Sequence, residues 1–272
     1  MAVAHVAPLA HRHEDPIPIR AIGAADLNAA LRDGWHDFLR FRGDVMLVSL
    51  IYPLIGIAAA VVTLGGNLLP FFFPLAAGIS LLGPVVAIGF YELARRREAG
   101  LETDWSNFFD VQRRPAAKEI GAVAGLLLAI FALWVFVAGS LFLALWGPGS
   151  PPSIAAFAKW LFTTGEGWTL IVAGNAIGAA FALLVLAISV VSLPMLVDCR
   201  VNARTAVSAS VRAFRANPAA MIRWGLTIAL LLVLGSLPLF VGLAAVLPWL
   251  GYATWHLYTR LIDRDALAGR RE

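Results

Sequence analysis

The residues that invite a chemical reading are few. Glu92, Asp198 and His256 are ionisable groups that stand at the ends of long apolar stretches, each with arginine close by in sequence: Arg95 to Arg97, Arg200 and Arg260. An ionisable group at such a boundary can take a proton, a cation or a lipid head group, or it can form an ion pair that fixes a helix end. The neighbouring arginines make the ion pair the simpler reading, and a shared polar cluster at one mouth of the molecule the sharper one. Other chemistry lacks its parts. The sequence contains no HExxH, no GxxxxGK[ST], no GxSxG and no carboxylate pair at catalytic spacing within an apolar stretch. His256 is the one histidine inside an apolar stretch, whereas a haem or haem–copper core needs several, so an oxidase catalytic role is excluded. The single cysteine, Cys199, allows no internal disulfide and no CxxC metal site. No catalytic residue, metal site or cofactor is therefore expected, and the protein reads as a non-enzyme. His5, His11 and His13 lie in a polar stretch, residues 1–25, which reads as a solvated mobile tail without the basic and apolar segments of a signal peptide.

The elements that must hold these groups are set by composition. Of the 272 residues 60% are hydrophobic and 14% charged, against about half and about a quarter in soluble domains. Mean hydropathy is +0.80. A bilayer core requires about 20 apolar residues in a helix. Residues 45–64, 68–93, 120–146 and 170–197 each supply one such stretch. Residues 221–261 supply two, divided at Gly235-Ser236-Leu237-Pro238, where turn-forming and helix-breaking residues meet, into spans 221–234 and 237–258. Six transmembrane helices follow, in a single membrane domain over residues 26–262 with a short tail at 263–272. Of the 21 basic residues, 20 fall in segments that six spans place on one side, and Lys159 alone falls on the other. This positive-inside bias predicts cytoplasmic N- and C-termini. The net charge of +4 is then explained by loops beside anionic lipid, not by nucleic acid. Between the third and fourth spans, Ile154, Phe157, Trp160 and Leu161 form an apolar face, which predicts a short helix on the outer surface.

A weak internal repeat precedes each odd-numbered span. Leu31, Trp35 and Phe38, then Leu101, Trp105 and Phe108, then Val207, Val211 and Phe214 share the offsets i, i+4 and i+7, and basic residues follow each set. These offsets put three apolar groups on one helical stripe. The expectation is three interfacial amphipathic helices, each leading into a hairpin of two spans; the alternative is that any loop between spans forms such a helix. Inside the spans, Gly121-x3-Gly125 and Gly174-x3-Gly178, the latter bracketing Asn175, read as helix-packing motifs.

Three stretches carry a resemblance to a family. They are Leu82-Gly83-Pro84 running through Gly89-Phe90-Tyr91-Glu92-Leu93-Ala94-Arg95-Arg96-Arg97-Glu98-Ala99-Gly100; Ser192-Leu193-Pro194-Met195-Leu196-Val197-Asp198 with Ser208-Ala209-Ser210-Val211 and Asn217-Pro218; and Gly251-Tyr252-Ala253-Thr254-Trp255-His256-Leu257-Tyr258-Thr259-Arg260. On these the chain resembles the bacterial integral membrane family of unknown function DUF2189. The resemblance implies a multi-span inner-membrane protein without an established activity, and it draws attention to the same three groups, Glu92, Asp198 and His256. The expected fold is all-α, with six spans as three hairpins. The expected role is an accessory, scaffold or assembly component whose partners are membrane lipids and either another membrane protein or a second copy. A small transporter or channel for a proton, ion or lipid-like solute is the rival.

Overall fold

The structure, a computed structural model, describes residues 17–49, 54, 57, 83–149, 151–238 and 240–270. Most of the predicted first two spans and of the N-terminal tail lie outside these residues. The described chain is all-helical, with an isolated bridge between Ile19 and Ile262. In order it forms α1 (Ala24–Ser49), α2 (Gly83–Val86), α3 (Ile88–Glu98), a 3-10 helix (Trp105–Arg113), α4 (Ala117–Trp146), α5 (Ile154–Thr163), α6 (Gly165–Ser189), α7 (Ser192–Asp198), α8 (Ala203–Ala216), α9 (Pro218–Ser236), α10 (Leu243–Leu261) and a second 3-10 helix (Asp265–Arg270).

Local chemistry sets most of these boundaries. The Ser153, Thr164 and Asn202 side chains accept from the backbone N–H of Ala156, Gly167 and Thr205, capping α5, α6 and α8. Pro218 opens α9, where its missing N–H costs nothing. Gly147 closes α4 with φ of 90°, a conformation that favours glycine. The predicted break in the last apolar block is present but later than the sequence indicates. Gly235 and Ser236 stay in α9, Ser236 Oγ donating back to the Leu232 carbonyl, and turn conformation follows at residues 237–238 and 240–242.

Among the described residues, three helical segments are long and apolar enough to cross a membrane: Ala117–Trp146, Gly165–Asp198 and Pro218–Ser236. In α4 the buried residues Ile120, Val123, Leu127, Ile130, Trp134 and Ala138 form one stripe, while Leu126, Leu128, Leu133 and Phe136 stay exposed. A helix that leaves large aliphatics uncovered on its outer face is built for an apolar surrounding. α9 repeats the pattern with Leu226, Leu230, Val233 and Leu234 exposed. α10 is not among the three, and the predicted sixth span differs here. Its residues from Leu250 to Leu261 are almost all buried within the protein, against α1, α3, α7 and α9. The closest approach is at Gly34 of α1, where an added Cβ would lie 2.4 Å from the Ala253 backbone nitrogen.

The three predicted amphipathic segments take three different forms. Leu31, Trp35 and Phe38 sit within the long α1, with Phe38 buried and Trp35 partly exposed. Leu101 lies outside any α-helix, and Trp105 and Phe108 belong to a 3-10 helix, whose three-residue turn removes the i, i+4, i+7 stripe. Val207, Val211 and Phe214 lie on α8 as expected, but they flank the buried face, which small residues make: Ala206, Ala209, Ser210 and Ala213. The helix predicted over Ile154 to Leu161 is present as α5, with Phe157 packed among Phe142, Trp146 and Trp160.

Candidate functional site

The end of the molecule that gathers α1, α3, α7, the start of α4 and the end of α10 is dense with charge. Glu92, on α3, is 1% exposed. Arg95 reaches back one turn to grip it with both ends of the guanidinium, Nε to Oε2 at 2.9 Å and Nη2 to Oε1 at 2.8 Å. Arg114, just before α4, donates from Nη1 to Glu92 Oε2 at 2.6 Å and to the Val197 carbonyl at 2.9 Å. One guanidinium therefore ties α3 to α7 at the residue before Asp198.

Asp198 ends α7 and is also 1% exposed. Its Oδ2 accepts from the Tyr258 hydroxyl and from Arg264 Nε, both at 2.9 Å, and its Oδ1 accepts from Arg264 Nη2 at 3.1 Å. Arg264 also donates to Glu98 Oε1 and lies over the Trp255 ring at 5.6 Å. Burial opposes the charge of Arg264, but the two carboxylates outweigh it and hold its pKa above the ordinary guanidinium range. His256 belongs to a second group. Its Nε2 is 2.8 Å from Asp37 Oδ2 on α1, and Arg97 of α3 pairs with the other oxygen of Asp37. One turn further along α10, Arg260 donates to Asp33 Oδ2 at 2.6 Å. Burial raises the pKa of Asp33, but the Arg260 hydrogen bond and charge prevail and set it below the usual carboxylate range.

The three singled-out groups thus stand on one charged belt without sharing a pocket. Glu92 and Asp198 are joined through Arg114 and the Val197 carbonyl; His256 reaches Asp37 instead. A buried carboxylate with every oxygen occupied by guanidinium or hydroxyl donors is held in place. The chemistry available is that of a clamp. Among the described residues no group of three or more His, Cys, Asp or Glu side chains is placed to hold a metal ion. Several members of the belt carry no sequence signal of their own. Asp37 sits in a polar turn of α1, and Arg114, Tyr258 and Arg264 are 22, 60 and 66 residues from the carboxylates they meet.

The predicted packing motifs separate. An added Cβ on Gly178 would lie 3.2 Å from the Trp134 ring and one on Gly174 4.0 Å from Leu141, so this pair does bring α4 and α6 together. Asn175 does not bond across; its Nδ2 donates to the Ile171 carbonyl of its own helix at 2.8 Å. At Gly121 and Gly125 an added Cβ would meet nothing within 4 Å, so neither packs a helix among the described residues.

Residues 72–198 match the family DUF2189, described as a predicted integral membrane protein. The protein is accordingly an integral membrane protein with several apolar helices. The DUF2189 segment includes Glu92, Arg114 and Asp198 and ends on Asp198 itself, so one half of the belt lies inside it and the α10 half, with His256 and Arg264, outside. Of the stretches that carry the resemblance, 82–100 and 192–198 fall within the match, and 208–218 and 251–260 beyond it. No curated protein and no solved structure was found to match the chain.

Proposed function

We propose that this protein is a non-enzymatic accessory, scaffold or assembly component of the bacterial inner membrane, crossing it six times with both termini in the cytoplasm. The observation that carries the reading is the occupancy of the buried carboxylates. Glu92 and Asp198 accept from Arg95, Arg114, Tyr258 and Arg264, and these contacts join helix ends to one another. A transport site needs an ionisable group that can exchange its partner for a substrate or a proton; groups held this way fix architecture. The six-span topology draws support from adjacency. The segment before α1 meets the C-terminal segment, Arg20 N–H donating to the Leu261 carbonyl at 2.8 Å, and Asn217, which precedes α9, accepts from the Ile22 N–H at 2.9 Å. Arg264 meets α3 and α7. Arginine-rich segments that converge at one end fit an even number of crossings between them.

The test is affinity purification of the full chain from native membrane in mild detergent, followed by identification of what co-elutes. Stoichiometric recovery of one membrane-protein partner, or of a stable homo-oligomer, is expected. Recovery of an isolated monomer, together with solute uptake by reconstituted vesicles, would overturn the reading in favour of transport.

A further inference from the structure

A shallow apolar groove runs between α4 and α8, lined by Ala122, Val123 and Leu126 on one side and Ala203, Arg204 and Val207 on the other. It lies where the apolar run of α4 begins, the level at which a phospholipid exchanges head group for acyl chain. Arg204 is the only charged residue in its lining; it is exposed and has no hydrogen-bond or ion-pair partner among the described residues. Lys118 stands one turn before Ala122 on the same face of α4, equally exposed and equally without a partner among the described residues. The acid next to Lys118 in sequence is already engaged. Glu119 accepts from the Ala203 backbone N–H at 2.7 Å, which pins the start of α8 to α4 and fixes the width of the groove. Gly121 and Gly125 leave the adjoining surface of α4 flat and open.

We infer that this groove seats one anionic phospholipid, its phosphate held between Arg204 and Lys118 and an acyl chain lying along Ala122, Leu126 and Val207. The argument is one of complementarity. Arg95, Arg114, Arg260 and Arg264 of this end are spent on carboxylates. These two cations remain free above an apolar channel, and a cation near a membrane surface attracts an anionic lipid with about 1 kcal/mol. Their aliphatic stems can follow the groove while the charges stay at head-group level.

The test is native mass spectrometry of the full-length protein from mixed micelles containing phosphatidylglycerol and phosphatidylcholine in equal amounts. One phosphatidylglycerol should be retained in clear preference to phosphatidylcholine. Arg204→Gln and Lys118→Gln should each lower that retention about fivefold, the factor that corresponds to about 1 kcal/mol. Ala122→Trp, at an exposed position in the groove's own lining, should fill the channel and abolish retention of a bound lipid of either kind while the protein keeps a cooperative thermal transition. Equal retention of both lipids by the wild type, or unchanged retention in the three variants, would overturn the proposal. So would a change in oligomeric state on Ala122→Trp without loss of lipid, which would make the groove a protein contact.

Discussion

Glu92 and Asp198 show how a charge survives inside a membrane protein. A carboxylate that is 1% exposed is stable there only if its lone pairs are filled, and removing one partner leaves the rest as uncompensated buried charge. Glu92→Ala should therefore cost about 3–5 kcal/mol, because it strands Arg95 and Arg114, whose side chains are 11% and 13% exposed. Tyr258→Phe removes one donor to Asp198 but leaves both Arg264 contacts, and should cost about 1–1.5 kcal/mol. Denaturant midpoints in detergent compare the two; equal small losses would show that the belt does not hold the fold. Asp33 adds a pH dependence. Its folded pKa lies below the ordinary carboxylate value, so its stabilisation is present at neutral pH and above and is lost as the pH falls through that lowered value. Asp33→Asn should flatten the decline in thermal midpoint between neutral pH and about pH 3; a decline as steep as in the wild type would remove Asp33 from the account. At this scale the sequence was half legible. Depth and neighbouring arginines pick out Glu92, Asp198 and His256, but their decisive partners come from tens to hundreds of residues away, where spacing carries no information.

Helices divide into those whose character is local and those whose character is borrowed. α4, α6 and α9 are legible from hydropathy alone, since each is an apolar run of about the length a bilayer core requires or more. α10 is not, because its fate depends on what covers it. Nineteen residues rise about 28 Å, enough to cross, yet its second half is enclosed by protein and meets the polar α1 through Asp37 and Asp33. The contact between α1 and α10 depends on Gly34. Gly34→Ala would push a methyl group into the Ala253 backbone, which cannot yield as a side-chain end can, and should cost about 1–3 kcal/mol. Gly121→Ala meets open space and should be neutral or stabilising by up to about 1 kcal/mol. Both glycines are helical and look alike in sequence. Thermal midpoints of the two variants separate them, and an equal effect would contradict the packing described. The repeat before each odd span was misleading for a related reason: offsets of four and seven residues imply a stripe only if the backbone is α-helical, and around Trp105 it is not.

At the scale of the whole molecule, charge is sorted by position. The N-terminal segment, α3, the loop before α4, the α7–α8 junction and the C-terminal segment touch one another through Arg20, Arg97, Arg114, Asn217, Arg260 and Arg264. α4 leads away from this end and α6 with α7 returns to it; α9 leads away and α10 returns. This sorting is the part of the fold most visible in the sequence, because a positive-inside bias is a count and needs no tertiary knowledge. The proposed six-span topology rests on it, and the orientation of the C-terminal segment is where it is most exposed to test. A reporter that is active only in the periplasm, fused after Arg264 in the full chain, should be inactive, while a reporter that requires the cytoplasm should be active at the same position. The opposite pair of results would place Arg264 on the far side from the basic loops and contradict the account.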